Sequence, residues 1–172
     1  VPLKETYNGE YMEPVVLPEP KTCTVDKPWA LTGTECKREH NIVNSLYLSP
    51  EVLERTNIER FERYKEVEKN ETRWEEYMME DAEYCIVAFG IAARVAKNAI
   101  KVLREKGIKT GLIRPITVWP FPSEPIRKAA DKVKGFISVE LNMGQMLEDV
   151  KLAEECKKPV SLCSRRGGMI PV

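Results

Sequence analysis

An α/β sandwich with a largely parallel sheet is the fold class that this 172-residue sequence predicts, and three observations predict it. From Tyr84 onward, short apolar runs of strand length alternate with stretches of helical period. Glycines punctuate the alternation, and it recurs often enough for four strands and three helices in the last ninety residues. Strands that alternate with helices pair in parallel through right-handed crossovers. In such sheets, ligand and partner surfaces lie beyond the carboxyl ends of the strands, here near Gly90, 114–120, 140–144 and 164–168.

Residues 1–50 hold six of the twelve prolines, with clusters such as Leu17-Pro-Glu-Pro20 that block helices and central strands. They read as an extended arm. Tyr7, Tyr11, Val15, Val16, Leu17, Trp29, Leu31, Leu46, Tyr47 and Leu48 are too apolar for a free linker, which favours a strap lying along another surface. Ser49 as N-cap and Pro50 at the first helical position open a charge-dense helical segment over 51–81, continuous or broken. Phe61, Tyr64, Val67, Trp74, Tyr77 and Met78 form its narrow apolar stripe, and Glu51 with Arg55, or Glu59 with Arg63, can pair one turn apart. Such a helix packs either on its own domain or on another subunit.

The α/β domain occupies 82–172. Tyr84–Phe89 is a buried-type strand, Gly90 turns the chain, and Ala92, Val95, Ala96, Ala99, Ile100, Val102 and Leu103 share a helical face that Gly107 ends. A second strand follows at Thr110–Arg114, then a helix from Ser123 to Val133, a strand at Gly135–Leu141, a helix at Gly144–Glu155 and a strand at Pro159–Cys163.

Charge excludes some functions. The 27 Lys and Arg balance the 27 Asp and Glu, so no basic field gathers nucleic acid or an anionic membrane. No apolar run approaches the roughly 20 residues that span a bilayer, and the polar first ten residues are unlike a secretory signal; a soluble, cytoplasmic chain is expected. Its five cysteines are odd in number and scattered, the pattern of free thiols in a reducing compartment. None stands two to four residues from another, which predicts no zinc or iron–sulfur site in this chain. The one histidine, His40, lies in a polar segment and reads as a loop residue. The chain opens on Val1 and reaches its first methionine at Met12, as a processed product or a piece of a longer protein does.

Four stretches carry candidate chemistry. Gly90-Ile-Ala-Ala-Arg94 opens a helix after a strand, where backbone N–H groups can face an anion, yet one glycine is no dinucleotide fingerprint and a turn glycine explains it. In Leu112-Ile-Arg-Pro-Ile-Thr-Val-Trp-Pro-Phe-Pro122, Pro115, Pro120 and Pro122 stiffen a loop on which Arg114, Trp119 and Phe121 either meet a partner or fold back over the end of the sheet. In Glu140-Leu-Asn-Met-Gly-Gln145, Asn142 and Gln145 make a variant capping box; the alternative has Glu140 and Gln145 hydrogen-bonding across a subunit boundary or to a cofactor. Arg165, Arg166 and Gly167 follow the last strand, in an ordinary turn or as a guanidinium pair for a phosphate such as that of coenzyme A.

These stretches also carry a family resemblance. Tyr84-Cys-Ile-Val-Ala-Phe-Gly90, Gly111–Pro122, Val139-Glu-Leu-Asn-Met-Gly-Gln-Met-Leu-Glu-Asp-Val150 and Gly167-Gly-Met-Ile-Pro171 resemble the C-terminal part of the alpha subunit of the 2-oxoacid:ferredoxin oxidoreductases. Ala30-Leu-Thr-Gly-Thr, Asn44-Ser-Leu-Tyr-Leu and Glu75-Glu-Tyr-Met are similar to the branched-chain, 2-oxoisovalerate group. The resemblance implies a transketolase C-terminal-like, three-layer sandwich from about residue 82, with an edge strand antiparallel to the others. It implies a thiamine diphosphate enzyme that decarboxylates a 2-oxoacid, reduces ferredoxin through iron–sulfur clusters and forms an acyl-coenzyme A. It places the thiamine diphosphate and its magnesium on the beta subunit, and implies beta, gamma and delta subunits as partners. This chain has no Gly-Asp-Gly motif for that metal, and Gly90 is followed by Ile91 and Ala92 where relatives usually carry small hydroxyl residues. The chain is therefore expected to be inert alone, as an assembly domain. A free-standing α/β binding module is the alternative, since fold does not fix function.

Overall fold

The computed structural model describes residues 18–20, 22 and 25–166. Gly167, Cys23, the Gly167–Pro171 stretch and the arm before Pro18 lie outside them. The elements, in order, are α1 Pro50–Glu71, β1 Trp74–Tyr77, β2 Tyr84–Ala88, α2 Gly90–Glu105, β3 Thr110–Pro115, α3 Ser123–Ala130, β4 Gly135–Glu140, α4 Gln145–Ala153 and β5 Val160–Ser164. The chain divides into two compact units at Tyr64 and Lys65.

In the smaller unit, residues 25–48 form no helix or strand. They are less extended than the prolines suggest. Asn41 Nδ2 donates to the carbonyls of Pro28 (2.7 Å) and Ala30 (2.9 Å), and the Arg38 guanidinium donates to the carbonyl and hydroxyl of Thr32, which gathers 28–41 into a pinned loop. Of the apolar side chains expected to lie on a surface, Trp29, Leu31, Leu46 and Leu48 point outward and are exposed, while Tyr47 is half-buried. His40 is exposed in this loop, as its polar setting predicts. Ser49 precedes α1 as expected, but its hydroxyl donates to the Glu51 carboxylate (2.7 Å) instead of capping a backbone N–H. No residue of α1 is buried; Phe61 and Tyr64, rings 5.9 Å apart, stay exposed.

The larger unit holds a five-stranded sheet in the order β1-β3-β2-β4-β5. β1 runs antiparallel to β3 and every other pair is parallel. Two directions of travel follow from that order. The chain moves from β2 to β3 on one side, then from β3 across to β4 and on to β5 on the other, so right-handed crossovers place α2 on one face of the sheet and α3 and α4 on the opposite face. The strands show it residue by residue. Cys85 and Val87 of β2 and Ile113 of β3 pack with Ile126, Ala130, Met146 and Val150, while Ile86, Ala88 and Leu112 pack with Ala92, Ala96 and Ile100. Three layers result, with the antiparallel edge strand that the resemblance implied.

One expectation fails at residue level. The helical segment does not run to 81: it ends at Glu71, and Trp74, Tyr77 and Met78 belong to β1 and the turn after it. Thr72 Oγ1 closes the last turn onto the Glu68 carbonyl (2.6 Å), and the Arg73 N–H leaves the helix to donate to Thr117 Oγ1 (3.0 Å). Beyond that point aromatic residues favour the pleated edge of a sheet over a charge-dense helix. Gly111 then lets the β1–β2 connection close over β3, because a Cβ there would lie 2.5 Å from Met79 Sδ and 2.6 Å from the Met78 carbonyl. Among the described residues no helix is long and apolar enough to cross a membrane.

Candidate functional site

The carboxyl edge of the parallel strands gathers the predicted site residues of the described chain, and the structure gives them different tasks. At the end of β3, Arg114 sits opposite Glu75 of β1 in register, with Nη1 to Oε2 at 2.9 Å. Glu75 also takes the ammonium of Lys97, which lies 5.3 Å from the centre of the Tyr77 ring. The Lys97 ammonium, set against the cost of partial burial and helped by Arg114, holds the Glu75 carboxyl below its ordinary value. Arg114 thus fastens the edge strand to its own sheet, where the sequence offered it as a partner contact. Local spacing does not signal the pairing of Glu75 with Lys97 and Arg114, because a helix over 51–81 gives Glu75 no strand register.

The loop beyond β3 is stapled to the joint between α1 and β1. The N–H groups of Ile116 and Thr117 donate to the Arg73 carbonyl (3.0 and 3.2 Å), and Thr117 Oγ1 donates to the Pro120 carbonyl (2.9 Å). The Trp119–Pro120 peptide is cis. The two aromatic residues part company here. Phe121, partly buried, packs against the core on the α3–α4 face, the fold-back alternative for this ring. Trp119 stays 55% exposed, in line with exposed Ile116 and Val118. A cleft of about 360 Å³ opens beside it, lined by Glu68, Thr72, Trp119, Pro120, Phe121 and Ser123.

At the end of β4 the structure answers the question left by Glu140-Leu-Asn-Met-Gly-Gln145. Glu140 is 1% exposed. Its Oε2 accepts the Met146 N–H (2.8 Å), and its Oε1 accepts the Leu147 N–H (2.9 Å) and the Ser138 hydroxyl (2.7 Å). Asn142 Oδ1 accepts the N–H groups of Gly144 (2.8 Å) and Gln145 (3.1 Å). Between them, two side chains satisfy the N–H groups of Gly144 and of the first three residues of α4, donors that would otherwise face an anion. Glu140 is therefore an internal cap and not a subunit contact. Gln145 remains exposed. The capping box was legible in the sequence; the reach of Glu140 was not, because it depends on Gly144 turning the chain at φ +105°. Asp149, half-buried on the same helix, has its carboxyl raised by burial first, and then by the Glu140 and Glu148 charges.

At the ends of β5 and β2 the groups are simpler. Arg165 and Arg166 are exposed, and the Arg165 N–H donates to the Glu140 carbonyl (3.1 Å). Gly90 opens α2 at φ +57°, the turn glycine that its position suggests. Cys85 is buried in the core, where burial pushes its thiol up to about 12. Cys36, Cys156 and Cys163 are exposed free thiols. Among the described residues no three His, Cys, Asp or Glu side chains gather into a metal-binding group. With the amides of α4 already taken, the donor set of the described residues at this edge does not fit thiamine diphosphate and its metal.

Comparison with known proteins follows this geometry. The family described as pyruvate:ferredoxin oxidoreductase core domain II matches residues 82–171. The chain is 46% identical over 167 residues to ketoisovalerate oxidoreductase subunit VorB of Methanothermobacter marburgensis, covering 96% of this chain and 47% of that protein. It is 34% identical over 91 residues to 2-oxoglutarate synthase subunit KorA of the same organism, covering 53% of this chain and 24% of that protein. The chain thus spans about half the length of the VorB relative. Among solved structures, the 2-oxoglutarate:ferredoxin oxidoreductase from Magnetococcus marinus superposes with a TM-score of 0.57 at 20% identity, over 72% of this chain and 22% of that one. That likeness speaks to the fold alone.

Proposed function

Since the chain belongs to the 2-oxoacid:ferredoxin oxidoreductase family, through the core domain II at residues 82–171, we propose that it is the assembly domain of one subunit of such an enzyme, the C-terminal part of the subunit corresponding to alpha. The enzyme oxidatively decarboxylates a branched 2-oxoacid, 2-oxoisovalerate, to its acyl-coenzyme A and reduces ferredoxin. The name and identity of the VorB relatives support this substrate. Thiamine diphosphate, magnesium and the iron–sulfur clusters are carried by other parts of the complex, and coenzyme A enters as co-substrate. Beta, gamma and delta subunits are the partners, in the cytoplasm, and this chain is inert without them.

One observation carries the assembly role. The carboxyl edge, where α/β sheets of this kind usually bind ligands, is closed by its own side chains at α4, while Ile116, Val118 and Trp119 on the neighbouring loop stay exposed. An exposed aromatic on a loop pinned to the sheet is the pattern of a protein contact, where buried aromatic anchors carry much of the association energy. The exposed apolar residues of 25–48 support a second contact area.

The test is co-expression of the chain with the other subunits of such an oxidoreductase, with activity on 2-oxoisovalerate, pyruvate and 2-oxoglutarate assayed with and without this chain. The proposal expects a stable complex that prefers 2-oxoisovalerate. A chain that purifies alone, joins no complex and leaves the activity of the remaining subunits unchanged points to the free-standing binding module instead.

A further inference from the structure

The cleft beside Trp119 has a chemistry of its own. It is lined by Trp119, Pro120 and Phe121 on its apolar side and by Glu68, Thr72 and Ser123 on its polar side. Among the described residues that line it, Glu68 is the one that carries a formal charge. The backbone around it agrees in sign. α1 ends beside the cleft, at Glu71, and brings the negative end of a 22-residue helix dipole. At the start of α3 the Ser123 N–H donates to the Phe121 carbonyl (2.9 Å), and Glu124, paired with Lys128, lies in the first turn. The cleft is thus an apolar slot with a negative rim.

We propose that this cleft seats an arginine side chain carried by a neighbouring subunit, a proposal that rests on the assembly role above. A guanidinium is flat enough to lie on an indole or phenyl face, and its five N–H donors match the acceptors present: two carboxylate oxygens and two hydroxyls. A lysine ammonium, more strongly hydrated, gains less from the rings. An anionic ligand is disfavoured by Glu68 and the helix end. At about 360 Å³ the cleft is at the low end of the roughly 300–1,000 Å³ usual for small-molecule sites, which suits one side chain. Exposed Ile116 and Val118 alongside it give the segment bearing that arginine an apolar rim to rest on.

The experiment uses the assembled complex. Trp119→Ala, Glu68→Gln and Glu68→Lys are introduced singly, and the dissociation constant of this chain from its partners is measured by analytical ultracentrifugation at low and high salt. Glu68 lies exposed on α1, so its variants keep the fold. The proposal expects Trp119→Ala and Glu68→Lys each to weaken assembly about tenfold or more, Glu68→Gln to weaken it less, and the Glu68→Gln effect to shrink at high salt. A p-benzoylphenylalanine placed at position 68 is expected to cross-link to a partner peptide containing arginine. Weakening by Trp119→Ala with no effect of either Glu68 variant overturns the arginine seat and leaves the assembly role standing. No effect of any variant overturns both. An adduct to a peptide without arginine also overturns the seat.

Discussion

Glu140 Oε2 and the Met146 N–H lie 2.8 Å apart, joining the last residue of a central strand to the first turn of the helix that follows it. The same carboxylate also holds Leu147 and Ser138, with almost no exposure to water. Charge-assisted hydrogen bonds to buried donors contribute about 1.5–3 kcal/mol, and donors left buried and unpaired cost about as much again. Glu140→Ala is therefore expected to destabilise the chain by about 3 kcal/mol, read as a shift in urea midpoint. Glu140→Gln, which keeps an acceptor but adds a misplaced donor, should cost roughly half of that. A loss below about 0.5 kcal/mol for the alanine variant contradicts the cap.

Glu75, bound by Lys97 and Arg114, gives a pH signature. Its folded pKa is depressed below the ordinary 4.5, so its contribution is present above the unfolded value and is lost as pH falls through the folded one. The wild-type chain is expected to be more stable than Glu75→Gln at pH 7, by about 0.5–1 kcal/mol after allowing for solvent screening at this half-buried site. The gap should shrink as pH falls below 4.5 through the lowered folded value. Urea denaturation at pH 7 and pH 3 tests this, and a gap that widens in acid is the opposite of the expected result.

Trp119 and Phe121, two residues apart, are expected to separate stability from assembly. Phe121→Ala removes a ring packed on the core and should lower stability by about 2–3 kcal/mol. Trp119→Ala removes an exposed ring and should change the stability of the isolated chain by less than about 1 kcal/mol. Thermal melts of the two variants decide it; equal losses mean that both rings are caps on the sheet.

The strands β2 to β5 and helices α2 to α4 were readable to within a few residues, because each is an apolar run or face bounded by a turn residue such as Gly90, Gly107 or Gly144. β1 was not. Trp74-Glu-Glu-Tyr77 is four residues long, half-buried on alternate positions, and follows a charged helix whose spacing it continues. What makes it a strand is pairing with residues about forty positions later, which no local pattern records. The same holds for the edge residues. Asn142 caps over two and three positions and could be read locally, whereas the Glu140 bonds span six and seven and depend on the turn at Gly144. The differing fates of Trp119 and Phe121 rest on which ring finds the core, and the proline-rich spelling of the loop is silent on that.

The loop carrying Trp119 is expected to be a contact between subunits. Hydrogen exchange by mass spectrometry, comparing the isolated chain with the assembled oxidoreductase, addresses it most directly. Peptides covering residues 116–119, together with those covering 25–48, are expected to exchange more slowly by tenfold or more in the complex, while those from the β2 and β4 core are unchanged. Equal exchange at 116–119 in the free chain and in the complex contradicts it.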